Sequence, residues 1–195
     1  MISETLTAKI KIDLFIGLFL CVVVGNIFLI KQNRELRIVI SKYRPNLLES
    51  GDILTPFVAQ GLQGAIFNIE YAGNQRNRVF IFFSPNCGYS RQQFPLWRET
   101  IKRADKTNYE IIGLVSNTEN INSVNEYLKS IDCADLPVAV VSAEDQKKYK
   151  LSQTPLTIVV NNKGEVVHNW VGIWDANQTS SVGATLGITF SGKLS

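Results

Sequence analysis

Polarity along the chain changes character twice. From Ile12 to Ile30 the run IDLFIGLFLCVVVGNIFLI holds only two strongly polar residues, Asp13 at its edge and Asn26. That is about the length an α-helix needs to cross a hydrocarbon core, and a buried core helix this long is seldom apolar all round. The residues after Asn26 lack the small-residue cleavage pattern of a signal peptide. The pattern therefore predicts a retained transmembrane signal anchor over 12–30, behind a short tail of 1–11. Leu36, Val39 and Ile40 then recur at helical spacing. Arg44-Pro45-Asn46 should end that helix, because the residue before a proline avoids the helical region. A juxtamembrane helix and linker are thus expected over 31–50.

Beyond Ser50 the periods are those of a folded α/β domain. Ala65–Tyr71 alternates apolar and polar residues, and Gly73–Asn77 reads as a turn. Val79–Phe83 is continuously apolar, as in a strand buried on both faces. Ser84-Pro85-Asn86 breaks it, and Ser90–Asp105 reads as a helix with Phe94, Trp97 and Ile101 on one face. A strand (Tyr109–Val115), a helix (Ile121–Ser130), a second buried strand (Pro137–Val141) and a short helix (Glu144–Lys150) follow. Leu156–Val160 and Val166–Val171 form two strands around the turn Asn161–Gly164. Alternating strands and helices predict a mainly parallel sheet closed by a hairpin, occupying 51–176. The Ser-, Thr- and Gly-rich residues 177–195 read as a tail with at most a short helix at Val182–Leu186.

Composition narrows the chemistry. The chain is 45% hydrophobic and 19% charged, so it can bury a core, and its net charge of +3 with dispersed Lys and Arg does not suit nucleic acid. One His and three Cys (Cys21, Cys87 and Cys133) give no metal cage and no disulfide scaffold. Cys21 lies in the apolar span, His168 reads as a surface residue, and Lys147–Lys150 as a solvated helix end.

Cys87 stands apart. It lies between the end of the buried strand and the first turn of the next helix, where unpaired N–H groups and the helix dipole favour a thiolate. Some sixty-five residues later, Thr154-Pro155 opens the strand LTIVV, and proline at the head of a strand cannot donate to the ladder. A cysteine after a buried strand, followed much later by Thr-Pro before another strand, resembles the pattern of thioredoxin-fold proteins. The chain is similar to their TlpA/ResA-like membrane-anchored branch, within the redoxin and AhpC/TSA group. Gly51–Phe57 resembles that branch's opening motif, with Gly64 near its following glycine. Tyr149, Leu151, the Lys163-Gly164 turn, Trp170 and Gly172 match its later segments.

The resemblance implies a thioredoxin-like fold with a mixed central sheet flanked by helices. It makes Cys87 the attacking cysteine at a helix N-terminus begun by Gly88 and Tyr89, Pro155 a cis-proline beside it, and the Thr154 backbone the edge that pairs with a bound peptide. Ser90 stands where the family has its resolving cysteine, and Asn86 where tryptophan often precedes the first. Without a second thiol, a mixed disulfide has no internal release. Cys133 is expected at the head of a strand at the far pole. The implied partners are protein thiols or disulfides, together with an external thiol reductant and the membrane; no cofactor is implied. Two functions stay open: oxidoreductase or isomerase chemistry through one cysteine (CxxS), and a binding module that only holds its partner. Gly88-Tyr89-Ser90 also resembles the site of monothiol glutaredoxins, but the anchor and the opening motif fit that family poorly. A peroxiredoxin would need a threonine-rich approach to its cysteine. Orientation is likewise open. Lys31, Arg34, Arg37, Lys42 and Arg44 after the span favour a cytoplasmic domain over Lys9 and Lys11 before it, whereas the resemblance implies an extracytoplasmic, periplasmic one.

Overall fold

A computed structural model describes residues 2–43 and 47–191, with side chains at 15, 17–36 and 47–191. It divides into two units, Met1–Pro45 and Asn46–Ser195. The first is a single helix, α1 (Ile2–Tyr43). The proposed helix stop at Arg44-Pro45-Asn46 lies outside the described residues. On α1 the described large apolar side chains between Phe15 and Ile30 are exposed, among them Leu18, Phe19, Val24, Ile27 and Phe28. Asn26, the polar residue within the run, donates its amide to the Val22 carbonyl one turn back at 2.8 Å. Among the described residues no helix is long and apolar enough to cross a membrane. The side chains of Ile12, Asp13, Leu14 and Ile16, part of the expected span, lie outside them.

The second unit runs β1 (Phe57–Gly61), β2 (Ile66–Ile69), β3 (Asn77–Phe82), α2 (Gly88–Arg103), β4 (Tyr109–Ser116), α3 (Ile121–Ser130), β5 (Val138–Val141), α4 (Ala143–Lys148), β6 (Leu156–Val160), β7 (Val166–Val171) and α5 (Ala176–Leu186). The seven strands form one sheet in the order β2-β1-β5-β4-β3-β6-β7. Only β3–β4 and β4–β5 are parallel; the other pairings are antiparallel. The sheet is thus mixed, as the resemblance implies, rather than mainly parallel, as the alternation of strands and helices alone suggested. β1 went unread because its five residues, FVAQG, include Gly and two small or polar residues and give little strand signal.

Strand β3 sits at the centre because both its faces are apolar. Phe80 and Phe82 face one core with Phe57, Ile112, Leu114, Tyr149, Leu156 and Ile158. Val79, Ile81 and Phe83 face the other, where Phe94 and Trp97 of α2 and Val124 and Leu128 of α3 pack. This period-two division fixes register, since a one-residue slip would exchange the faces. In β4, Gly113 is required by close approach: a Cβ there would meet Val138 at 2.9 Å and Leu136 and Phe83 at 3.1 Å.

The expectation for residues 177–195 is also corrected. Asp175 accepts from the Gln178 N–H while Gln178 caps the Asp175 N–H, so a capping box starts α5 well before Val182. Val182, Leu186 and Ile188 are buried in the second core. Three small residues in ATLG and the Ser-Ser pair masked the amphipathic face. At the other end of the unit, Leu48 and Leu54 join the first core. Their segment runs beside β7: the Gly51 N–H donates to the Val166 carbonyl and the Val166 N–H to the Asp52 carbonyl, both at 2.8 Å. Ile53 bridges Glu165, Asn169 donates to the Leu48 carbonyl, and Lys150 pairs with Asp52 at 2.8 Å.

Candidate active site

Cys87 is the N-cap of α2, with extended backbone at φ −84° and ψ 117°. The preceding loop is held from several sides. The Cys87 N–H donates to the Ser84 carbonyl, and the Arg91 N–H returns to the Cys87 carbonyl, both at 3.1 Å. Arg91 also turns its guanidinium back to donate to the Pro85 carbonyl at 2.6 Å. These bonds place the sulfur over the open N-terminal turn of the helix, where Gly88 begins α2 and the exposed Tyr89 projects outward.

The protonated thiol donates to the Thr154 carbonyl at 3.5 Å. The Thr154–Pro155 bond is cis, and Pro155, at the head of β6, is buried. Burial pushes the Cys87 thiol up. Hydrogen bonds from the Thr154 side chain, from the N–H and hydroxyl of Ser90 and from the Tyr89 N–H outweigh it, and the thiol is held below its ordinary value. Each of these donors favours the charged form, as at other helix N-termini.

Ser90 is fully buried. Its Oγ accepts from the Ser84 N–H at 3.4 Å, so its own proton is free to donate to the sulfur. Thus Cys87, Gly88, Tyr89, Ser90, Thr154 and Pro155 meet at one end of the sheet. Cys133 does not join them. It lies in the turn between α3 and β5 rather than at a strand head, five residues before Val138, because Leu136-Pro137 delays pairing. It lines a cleft of about 460 Å³ with Lys102, Tyr109, Asp132 and Pro137, beside the start of β4 and so at the opposite pole. Burial pushes its thiol up.

Three features were not anticipated. Trp97 donates its indole N–H to Thr157 Oγ1 at 2.9 Å, tying α2 to β6. Gln93, fully buried, accepts from the Trp174 N–H at 2.8 Å, and the nearby Gly172 N–H donates to the Pro155 carbonyl at 2.9 Å. Asn86 donates its amide to Glu119 at 3.2 Å, joining the cysteine loop to the turn before α3. The available signal was Gln93, a polar residue on the same helical stripe as Phe94 and Trp97. Among the described residues no carboxylate is buried, so none lies beneath the sulfur as a base. His168 is half-buried and stacks on Trp170 at 5.3 Å, on β7.

A family described as thioredoxin-like matches residues 76–166. A Haemophilus influenzae protein named thioredoxin-like protein is 28% identical over 107 residues, covering 55% of this chain and 61% of the relative. The match thus spans about three-fifths of that relative's length. Among solved structures, a Chlorobium tepidum protein named for DsbE-type thiol:disulfide interchange aligns with TM-score 0.60 and 18% identity, over 72% of this chain and 97% of its own. StoA from Bacillus subtilis aligns with TM-score 0.54 and 18% identity over 65% and 95%. The exposed lipoprotein thioredoxin Etrx1 of Streptococcus pneumoniae gives TM-score 0.55 and 18% identity over 68% and 98%. Strand order and these structural matches agree that the Asn46–Ser195 unit has a thioredoxin-like fold, shared with solved thiol–disulfide oxidoreductases.

Proposed function

We propose that this chain is a membrane-tethered thiol–disulfide exchange protein that works through Cys87 alone. The observation that supports it best is the sulfur at the α2 N-cap, 3.5 Å from the Thr154 carbonyl and surrounded by donors that favour its thiolate. In the reaction, the Cys87 thiolate attacks one sulfur of a protein disulfide. A bond forms between Cys87 and that sulfur, the old S–S bond breaks, and the other sulfur leaves as a thiolate. Thr154 and Pro155 offer the backbone edge along which the partner's extended segment lies. Ser90 cannot make the second attack, so release requires an external thiol or a second cysteine of the partner. That thiolate attacks the partner's sulfur and returns Cys87 as the thiolate.

The test is the full-length chain in neutral detergent with oxidised insulin and glutathione. Wild type should form an adduct that a reductant reverses, and Cys87→Ser should form none. An adduct on Cys133, or none in wild type, overturns the reading. A second reading, a module that holds its partner covalently without turnover, draws on the separation of Cys133 from a site where Ser90 replaces the second thiol. One adduct per chain with no glutathione-dependent turnover would favour it.

The tether is α1, whose exposed apolar side chains need a nonaqueous surrounding and whose amide within the apolar run, Asn26, is already bonded. We take residues 12–30 as the anchor, 31–46 as juxtamembrane, and the domain to run from Leu48 to Phe190, since residues near both ends enter its cores. The domain is placed outside the cytoplasm, against the Lys and Arg count. C-terminal reporter fusions test this: activity only of a cytoplasmic reporter reverses the topology.

A further inference from the structure

We infer that Glu119, held by Asn86, forms an acidic rim beside Cys87 that selects partner cysteines flanked by basic residues. The inference rests on reading Cys87 as an exchange site. Asn86 is the residue directly before the cysteine, and the resemblance commonly has tryptophan there. In this chain the position carries an amide whose Nδ2 donates to Glu119 Oε2 at 3.2 Å. The bond fixes a carboxylate from the turn before α3 next to the cysteine loop. Glu119 is half-buried and pairs with no cation in a salt bridge among the described residues. Its other oxygen makes no hydrogen bond among the described residues.

Tyr89 and Ile121 add uncharged surface near Glu119. Tyr89 is 67% exposed and Ile121, the first residue of α3, is 43% exposed. Thr154 supplies backbone from the other side. Arg91 lies four residues beyond Cys87, but its guanidinium is turned into the loop toward the Pro85 carbonyl. Burial and the donors from Thr154, Ser90 and Tyr89 set the state of the thiol, and Glu119 is not among them. The carboxylate is placed to act on what approaches the sulfur. A partner segment running along Thr154 brings the residues beside its cysteine past Tyr89 on one hand and Glu119 on the other. Apolar and basic neighbours suit that surface; acidic ones are repelled. Rim charges of this kind change association rate and its salt dependence more than final affinity.

Two peptides test this, Ala-Lys-Cys-Lys-Ala and Ala-Glu-Cys-Glu-Ala, each as a mixed disulfide with thionitrobenzoate. The Cys87 thiolate attacks the peptide sulfur, the new bond joins Cys87 to the peptide, and thionitrobenzoate leaves with the electron pair as a coloured thiolate. The full-length chain in neutral detergent is compared with Glu119→Gln, which keeps an oxygen to accept from Asn86 while removing the charge. Peptide electrophilicity and Arg91 are common to both proteins, so the Lys-to-Glu rate ratio of wild type divided by that of the variant isolates Glu119. At low salt this quotient should be about threefold or more, the size of one screened charge interaction across several ångströms of water. It should fall toward one at high ionic strength. Asn86→Ala, which frees the carboxylate, should lower the Lys-to-Glu rate ratio as well. A quotient of one at low salt overturns the selective rim while leaving the exchange site standing. Failure of wild type to react with either peptide overturns both.

Discussion

Trp97 and Thr157 meet across the interior at 2.9 Å, the indole N–H of α2 donating to the hydroxyl of β6 with both residues fully buried. The helix begins with Cys87 and the strand follows Pro155, so one bond fixes the spacing of the elements that carry the two halves of the site. Thr157→Val keeps the shape but leaves the indole N–H unpaired. It should cost about 1–3 kcal/mol, read from denaturant midpoints at unchanged slope.

The two domain thiols should titrate in opposite directions. Hydrogen bonds hold Cys87 below its ordinary value and burial holds Cys133 above it. Iodoacetamide followed by peptide mapping should label Cys87 first as pH rises. Ser90→Ala removes one donor and should move the Cys87 midpoint up, slowing labelling at neutral pH. The linkage to stability has matching signs. A depressed thiol adds stability as pH rises through its folded value, and that gain is complete above its unfolded value. A raised one removes stability as pH rises from its unfolded value. Cys133→Ala should therefore flatten the alkaline fall, and Cys87→Ser should steepen it.

Ser90→Cys should convert the site to a turning-over dithiol. Ser90 lies one helical turn from Cys87 and is already enclosed, and cysteine is of similar size. With dithiothreitol as donor, this variant should reduce insulin catalytically while wild type gives only glutathione-dependent release. Two free thiols with no turnover would show that the site does not work as the fold suggests.

Much of this architecture was legible in advance because its signals were local. Leu156–Val160 and Val166–Val171 match β6 and β7 residue for residue, since two β-branched-rich runs around the turn Asn161–Gly164 admit few alternatives. Ile121–Ser130 was equally clear, with Asn120 capping the N–H groups of Asn122 and Ser123. Cys87 and Thr154-Pro155 each sat at an element boundary, where punctuation is strong. What stayed hidden depends on partners far away in the sequence. β1 is held as a strand by β2 and β5 rather than by its own residues. Gln93 and Thr157 are ordinary polar residues until Trp174 and Trp97 arrive. Asn86 looked like a simple loss of tryptophan, and only the approach of the β4–α3 turn gives its amide a carboxylate to hold.

The C-terminal helix should be integral to stability. Leu186 is buried in the second core, and Leu186→Ala should cost about 2–5 kcal/mol. Asp175→Ala, which opens the capping box, should cost about 0.5–2 kcal/mol. Thermal melts of both would measure this. Values near zero would make 177–191 the appendage its composition suggests.

The segment from Leu48 to Ile53 lies along β7 from Glu165 to Asn169, using backbone groups that would otherwise face outward. A sheet has two margins, and an open margin is a template for polymerisation with neighbouring copies. Here one margin is already occupied by the chain itself, and the other is the four-residue β2, too short to nucleate a long ladder. Molecules crowded on a surface meet edge to edge far more often than in dilute solution. Tethering, as proposed, would bring such crowding, and this domain would meet it with little free edge to offer.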